Sequence, residues 1–277
     1  MGHGRAGQEP AMKWPFFQKK TRSLPVRRLS YQAANLQGIG TRTRQEDSFA
    51  FANAMDVTAM RRDGLLAVVA DGMGGMEDGD LVSQAAVSLL LKEFASRDRN
   101  IPIGRWLHSS FGRIGEELSR RFGERGGTTM AACILFEERL YWASVGDSFL
   151  FLGRGEGLYR LNRDQNVRTQ RYTQAVRNGM LEAQDTGSGS EENCLSAFLG
   201  SSMPQEIEYS LRPLALEEGD RLLLCSDGIG SILPEEELLR CLQEDPPAAG
   251  AQSGAAVAAA AREHQDNYTA LVLSCGY

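Results

Sequence analysis

The sequence predicts one globular domain in which β-strands and α-helices are mixed. The first observation is the composition: of 277 residues, 42% are hydrophobic and 24% are charged, which is typical of a soluble domain with an ample core. The second is the pattern, because from about residue 29 short apolar runs alternate with segments of helical periodicity. The third is that no stretch approaches the ~18 consecutive apolar residues that a transmembrane helix needs.

Six strands are predicted where short apolar runs are bounded by Gly, Asp or Asn, the residues that favour turns. The segment Glu137–Arg139 separates two of these runs and predicts the turn of a hairpin. Three helices are predicted from apolar residues at helical spacing and from an alanine-rich run near the C-terminus. The predicted strands span residues 65–70, 130–136, 140–145, 149–152, 221–225 and 270–274, and the predicted helices span residues 80–96, 104–122 and 255–261.

Two segments differ from this pattern. Residues 1–28 predict a basic, flexible tail, and its cluster of Trp14, Phe16 and Phe17 leaves open a weak contact with a membrane surface or a partner. Residues 163–198 are polar and rich in arginine, and they predict a partly helical insertion that ends in a mobile loop. Such a loop either gates a neighbouring site or is a plain surface excursion. No apolar region of a secretory signal is visible, so we expect a cytoplasmic protein.

The charge distribution excludes one class of function. Residues 1–28 carry a net charge of +6, and since the whole chain carries −6, the remaining residues carry −12. An acidic body argues against a nucleic-acid-binding domain, because phosphate neutralisation requires a basic surface. Concentrated carboxylates are also the ligands that divalent cations prefer.

Scarce residue types exclude further chemistry. The chain has three histidines, His3, His108 and His264, which makes a multi-histidine zinc site implausible. The motifs GxxxxGK[ST], GxGxxG and GxSxG do not occur, which disfavours a nucleotide kinase, a Rossmann dehydrogenase and a nucleophile-elbow hydrolase. Five cysteines without a CxxC pair predict reduced, mostly buried thiols.

Acidic residues follow or precede the predicted strands. Asp71, Asp147 and Asp227 each end an apolar run and enter a turn, and Asp266 precedes the last strand. A single aspartate of this kind is typically a turn residue. Four of them, with the pair Glu46 and Asp47, would repel one another at converging strand ends unless cations lie between them. The residues therefore predict a site for Mg²⁺ or Mn²⁺.

Two neighbours complete this pattern. Gly72 follows the first aspartate, and its carbonyl can approach an ion because no side chain is in the way. Arg42 stands four residues before Glu46, and a guanidinium is suited to phosphate oxygens. Arg42 is either a phosphate ligand or a solvated surface charge. A metal site with an arginine nearby indicates a phosphate ester as substrate.

Six sequence blocks occur in order along the chain: GTRTRQED (40–47), VVADGMGG (68–75), GGTT (126–129), SVGDS (144–148), LLLCSDGI (222–229) and DNYTALVL (266–273). With these blocks at family-like spacing, the chain resembles the metal-dependent serine/threonine protein phosphatases of type 2C, in their compact bacterial form. The resemblance covers about residues 35–275. Any single block would be weak evidence, and the six together carry the resemblance.

The resemblance implies an α+β fold: a four-layer αββα sandwich in which two antiparallel sheets are flanked by helices. It also implies that residues 29–277 form the catalytic domain, that about 163–198 is its variable flap, and that two Mn²⁺ or Mg²⁺ ions bind at one end. The implied metal residues are Asp71 as the bridging ligand, the Gly72 carbonyl, Asp227, Asp266 and Glu46, with Asp147 and Asp227 for a third ion. Arg42 is implied to bind phosphate, while Asp47 and Asn267 support the ligands.

The chain also departs from the family pattern. Met73 and Met76 stand where relatives have histidine, and Asn162-Arg163-Asp164-Gln165 replaces a Thr-x-Asp-His pattern. A histidine as general acid is therefore in doubt, and His264 is poorly placed to substitute for it. None of these changes removes an implied metal ligand.

The resulting prediction is an enzyme that hydrolyses phosphoserine and phosphothreonine in signalling proteins with a metal-activated water and no covalent intermediate. Its expected partners are phosphorylated proteins and an opposing serine/threonine kinase, and we expect a monomer. Two alternatives are a weak or inactive pseudophosphatase that binds phosphoproteins, and a metal-dependent nuclease, which the acidic body disfavours.

Overall fold

The computed structural model describes residues 1, 28–73, 77–180, 194–202, 206–260 and 263–277. Most of the predicted tail, including Trp14, Phe16 and Phe17, lies outside the described residues, as do Met76 and the loop predicted to end the flap. No helix in the described ranges is both long and apolar enough to cross a membrane.

Two antiparallel sheets form the centre of the molecule. The first has the order β1-β11-β10-β6-β7, and the second has the order β2-β3-β4-β5-β8, with β9 also paired to β5. The strands are β1 (Ser30–Gly38), β2 (Asp47–Ala52), β3 (Leu65–Asp71), β4 (Met130–Phe136), β5 (Arg139–Val145), β6 (Phe149–Arg154), β7 (Gly157–Arg160), β8 (Glu208–Tyr209), β9 (Leu214–Ala215), β10 (Arg221–Cys225) and β11 (Tyr268–Gly276).

In the described part of the chain, seven α-helices connect or cover these strands, and a short 3-10 helix lies at Gly123–Arg125. They are α1 (Val57–Asp63), α2 (Gly79–Ala95), α3 (Ile103–Phe122), α4 (Val167–Arg177), α5 (Asp227–Gly230), α6 (Glu235–Leu242) and α7 (Pro246–Ala259). The helices α2 and α3 pack on the second sheet, and α6 and α7 pack on the first.

The core has three layers, one between the sheets and one beneath each helical layer. In β3, Leu66, Val68 and Ala70 face α2 and α3, while Leu65 and the other odd-numbered residues face the opposite sheet. Both faces of the strand are therefore buried, which explains its continuous apolar run. The four-layer αββα sandwich with two antiparallel sheets is confirmed.

All six predicted strands are present, although β6 and β11 extend beyond their predicted bounds. The two long predicted helices are present within one residue of their predicted starts and ends, and the alanine-rich helix begins earlier, at Pro246. Sequence reasoning missed β1 and β2, whose side chains are mostly half-buried or exposed, and the helices α1 and α6.

The flap segment is helical at α4, as predicted. Four of the five cysteines are buried, as predicted, and Cys194 is exposed.

Candidate functional site

The predicted acidic residues converge at one end of the two sheets. β10 pairs with both β6 and β11, and Cys225 at its end lies opposite Phe149 and Ala270. Asp147 and Asp266, which precede β6 and β11, and Asp227, which follows β10, consequently lie near one another at this end of the first sheet. In the second sheet, Asp47 begins β2 directly opposite Asp71, which ends β3. Five predicted site residues thus share one edge of the sandwich.

Asp71 and Asp227 are at the centre of this group. Their carboxyl groups lie close enough to affect each other's ionisation. Withdrawal from water, and then the charges of Asp47, Asp227, Asp147 and Asp266, raise the pKa of Asp71 well above its usual value. Burial and the charge of Asp266 likewise raise the pKa of Asp227. The protein itself supplies too little positive charge here to keep all these carboxylates ionised.

Asp227 begins the short helix α5, where the sequence predicted a turn. Its Oδ1 atom is buried and has no hydrogen-bond partner among the described residues. A buried carboxylate oxygen without a partner costs free energy, so an ion in this place would stabilise the folded protein.

Asp47 connects the two sheets beneath the cluster. It is 4% exposed, and its Oδ2 accepts hydrogen bonds from Ser226 Oγ at 2.8 Å and from Thr269 Oγ1 at 2.7 Å. Burial raises its pKa to about 6, and the two hydroxyl bonds oppose that rise. Asp47 therefore holds the ends of β2, β10 and β11 together, and its role in supporting metal ligands stays a prediction.

Asp147 lies in the turn between β5 and β6. Burial, followed by the charges of Asp227 and Asp164, raises its pKa to about 7. It lines a cavity of about 700 Å³ together with Asp227. The opposite wall belongs to the flap and includes Asn166, Arg168, Thr169 and Tyr172. The flap therefore faces the acidic cluster.

Arg42 and Asp266 form an ion pair at the rim of the site. Arg42 Nη2 lies 2.6 Å from Asp266 Oδ2, and the two side chains are 44% and 40% exposed. Asn267 Oδ1 accepts a hydrogen bond from the Glu46 N–H at 2.7 Å, so it holds the chain at Glu46. Burial raises the pKa of Glu46, and the charge of Arg42 opposes that rise.

Gly72 lies where no larger residue would fit. A Cβ atom on Gly72 would lie 2.3 Å from the Gly79 carbonyl oxygen and 2.8 Å from the Glu46 carbonyl oxygen. The Gly72 N–H donates to that same Glu46 oxygen at 3.1 Å. The β3 end, the start of α2 and residue 46 are thereby brought into direct backbone contact.

The acidic cluster offers oxygen donors for divalent cations. Among the described residues, no three acidic, histidine or cysteine side chains already form a compact coordination group. The buried Asp227 Oδ1 without a partner and the raised pKa values of Asp71 and Asp147 nevertheless mark a site that lacks positive charge. Its donors are carboxylate oxygens, which Mg²⁺ and Mn²⁺ prefer. The residues fit such ions, and their individual metal roles stay predictions.

Sequence reasoning missed the residues that hold Asp71 in place. Thr129 Oγ1 accepts a hydrogen bond from the Asp71 N–H at 3.0 Å and lies 2.7 Å from Ser148 Oγ, and Thr128 Oγ1 donates to the Asp71 carbonyl at 2.9 Å. These residues belong to the blocks GGTT and SVGDS, and those blocks were the signal in the sequence that could have identified them.

Two residues discussed as departures from the family pattern are also described. The Met73 N–H donates to the Gly127 carbonyl at 2.9 Å, and His264 is exposed.

Comparison with known proteins identifies the family. The family model for protein phosphatase 2C matches residues 39–251, more than three quarters of the chain. The chain belongs to the protein phosphatase 2C family. The serine/threonine phosphatase stp of Listeria monocytogenes is 30% identical over 186 residues, which cover 64% of this chain and 71% of that protein.

Solved structures of 2C-type phosphatases share the fold. The serine/threonine phosphatase of S. agalactiae matches with a TM-score of 0.73 at 23% identity, over 88% of this chain and 99% of that one. The PstP catalytic domain in complex with two manganese ions matches with a TM-score of 0.64 at 22% identity, over 90% and 99%. Membership of the 2C family confirms the prediction of a metal-dependent protein phosphatase and does not favour the pseudophosphatase alternative.

Proposed function

We propose that this 2C-family phosphatase hydrolyses phosphoserine and phosphothreonine in proteins at the edge where its acidic residues converge. The observation that carries the proposal is the contact between the carboxyl groups of Asp71 and Asp227, within electrostatic reach of three further aspartates. The names of the relatives from Listeria monocytogenes and S. agalactiae, both serine/threonine phosphatases, support this substrate class.

The proposed metal residues are those that the family resemblance implies, and the position of the acidic residues at the converging strand ends supports them. Asp71 and the Gly72 carbonyl would hold one ion, and Asp71, Asp227 and Asp266 would hold a second. Glu46 would support the first ion from its position beside α2. Asp147 and Asp227 would hold a third ion beside the flap. Mn²⁺ and Mg²⁺ both suit these oxygen donors, and the two manganese ions of the PstP catalytic domain support the choice of Mn²⁺ for a first experiment.

Bound ions would lower the pKa of a water to near neutral, so that hydroxide would be available at physiological pH. The side chains of the chain provide the positioning. Arg42 would bind the phosphate oxygens, for which its guanidinium geometry is suited, and its bond to Asp266 keeps it beside the acidic cluster. Asp47, Thr129 and Asn267 would fix the ligands before substrate arrives, which lowers the cost of reorganisation.

Several finer expectations belong to the same proposal. We expect the chain to act as a cytoplasmic monomer and to reverse the action of a serine/threonine kinase. The basic tail would at most make a weak membrane contact, and nucleic acid is not an expected partner because the residues after the tail carry a net charge of −12.

The test is phosphate release from a phosphothreonine peptide by the wild type, Asp227→Asn and Asp98→Asn, each with Mn²⁺ or with a chelator. Asp98 is an exposed aspartate whose Oδ1 accepts the hydrogen bond of the Asn100 N–H, a bond that asparagine can also accept. We expect Mn²⁺-dependent release from the wild type and from Asp98→Asn, and none from Asp227→Asn.

Two outcomes would contradict the proposal. Release that persists in Asp227→Asn would remove this residue from the site. No release from folded wild type over a range of Mn²⁺ concentrations and pH would favour the pseudophosphatase alternative, and binding of the same peptide would then be measured by calorimetry.

A further inference from the structure

Gln165 occupies a central position between the flap and the acidic cluster. It lies between β7 and α4, its side chain is 9% exposed, and the proposed mechanism assigns it no role. The side-chain amide of a buried glutamine needs hydrogen-bond partners for both its oxygen and its nitrogen. These partners therefore identify the segments that the glutamine holds in place.

On one side, Gln165 binds Gly146 twice. The Gly146 N–H donates to Gln165 Oε1 at 2.8 Å, and the Gln165 N–H donates to the Gly146 carbonyl at 3.2 Å. Gly146 has a φ of 98° and directly precedes Asp147. A Cβ atom on Gly146 would lie 2.7 Å from Thr129 Cβ, so this glycine is also packed tightly against the neighbouring strand. Gln165 therefore fixes the backbone that carries Asp147.

On the other side, Gln165 binds the segment that leaves the flap. Its Nε2 donates to the Glu206 carbonyl at 2.7 Å, and its own carbonyl accepts the Ser196 N–H at 2.8 Å. Ser196 lies at the end of the flap segment and Glu206 follows it, whereas Gln165 lies near its start, before α4. One side chain and its backbone thus connect the start of the flap, its return segment and the turn of Asp147.

We propose that Gln165 is a positioning residue that couples the flap to Asp147 and thereby sets the affinity of the ion that Asp147 helps to hold. The inference rests on the metal role given to Asp147 under the proposed function. Removal of the amide would leave the Gly146 N–H and the Glu206 carbonyl without these partners, and the turn would relax. Substitution of groups that orient metal ligands typically weakens metal affinity or activity by about 10–100-fold.

The experiment compares Gln165→Leu and Gln165→Glu with Gln170→Leu, a glutamine of similar size that is exposed on the flap helix. Mn²⁺ binding is measured by titration calorimetry, and the Mn²⁺ concentration that half-activates phosphate release is measured in parallel. We expect the weaker binding event and the half-activating concentration to shift by about tenfold or more in Gln165→Leu, with kcat restored at saturating Mn²⁺. Gln170→Leu should match the wild type.

Gln165→Glu separates the two connections. A carboxylate still accepts the Gly146 N–H but cannot donate to the Glu206 carbonyl. If the flap connection contributes, this variant should also lose Mn²⁺ affinity while keeping slow exchange of the Gly146 amide hydrogen. In Gln165→Leu that amide should exchange faster than in the wild type, a readout that needs neither metal nor activity.

A double-mutant cycle with Asp147→Asn identifies the route of the effect. If Gln165 acts through Asp147, Gln165→Leu should add no further shift in Mn²⁺ affinity to Asp147→Asn. Additive shifts, or an unchanged Mn²⁺ affinity in Gln165→Leu while Asp147→Asn weakens it, would overturn the coupling. Unchanged Mn²⁺ affinity in Asp147→Asn itself would instead overturn the metal role of Asp147, and with it the premise of the coupling.

Discussion

An aspartate lies near each end of β10, and the two differ in how far their carboxylates are paired within the protein. Asp220 precedes the strand and is 1% exposed, but it is fully paired: Arg154 binds it through Nε at 2.8 Å and Nη2 at 2.6 Å, and the Glu217 N–H donates to it at 2.8 Å. Asp227 follows the strand, lies beside a second buried aspartate, Asp71, and has a buried oxygen without a partner in the described part of the chain.

The difference separates a structural acid from a functional one. The fold neutralises Asp220 with its own arginine, and the resulting bidentate pair needs nothing from solution. At the other end, Arg42 bonds Asp266 at the rim, while Asp227 keeps a raised pKa and a buried oxygen that has no partner among the described residues. A site that is to bind divalent cations has to remain short of positive charge, and this shortage makes the metal-free fold less stable.

Asp71→Asn should produce the largest effect. Activity should fall by more than the ~10–100-fold that is typical of groups behind the metal ligands, because the proposed bridging ligand itself is changed. In the presence of chelator, the same variant should melt at least about 2–4 °C higher than the wild type, since one repelling carboxylate is gone. The measurements are phosphate release with Mn²⁺ and calorimetric melting with chelator. A lower melting temperature in chelator would show that Asp71 is a structural acid like Asp220.

Asp220→Asn tests the opposite end of the strand. Breaking a buried, paired acid typically costs about 3–5 kcal/mol, so we expect a loss of that size in the free energy of unfolding. The Mn²⁺-dependent activity of the folded fraction should be unchanged at low temperature. Denaturant unfolding measures the loss, and Glu217→Gln is the matched control because Glu217 binds the same arginine but is 65% exposed. That control should cost about 0–1 kcal/mol, and an equal cost in both variants would refute the contrast.

The two ends of β10 also show what can and what cannot be predicted from the sequence. The acids of the site could be predicted because each stands beside an apolar run, and strands that pack together bring their ends together. Asp220 also stands beside that run, yet nothing in the sequence indicates that Arg154 neutralises it. The partner lies 66 residues away and is brought near only by the pairing of β6 with β10.

Other elements and residues were missed from the sequence for a similar reason. β1 reads as a polar segment because its side chains are half-buried or exposed, and only its pairing with β11 over nine residues makes it a strand. Thr129 and Gln165 were missed as positioning residues because their roles come from contacts with Asp71 and Gly146 across the fold. A pattern within one segment indicates burial and turns, but it does not identify such partners.

The pH dependence of the metal-free protein is the smallest expected effect. Burial and neighbouring acids raise the pKa of Asp147 from 3.8 in the unfolded chain to about 7 in the folded one. The folded state thus binds the proton more tightly, so its stability is highest below about pH 4 for this group and is lost as the pH rises towards 7. Between pH 5 and pH 8 we expect a loss of about 2 kcal/mol from Asp147.

Asp147→Asn isolates this contribution, since asparagine does not titrate in this range. Denaturant unfolding with chelator at pH 5 and pH 8 should show a smaller loss of stability in the variant than in the wild type. With Mn²⁺ the trend should reverse, because the ions compete with protons for the same carboxylates and bind better as the pH rises. If wild type and variant lost equal stability, the destabilising charge at this end of the molecule would belong to the other acids whose pKa values are raised, Glu46, Asp47, Asp71 and Asp227.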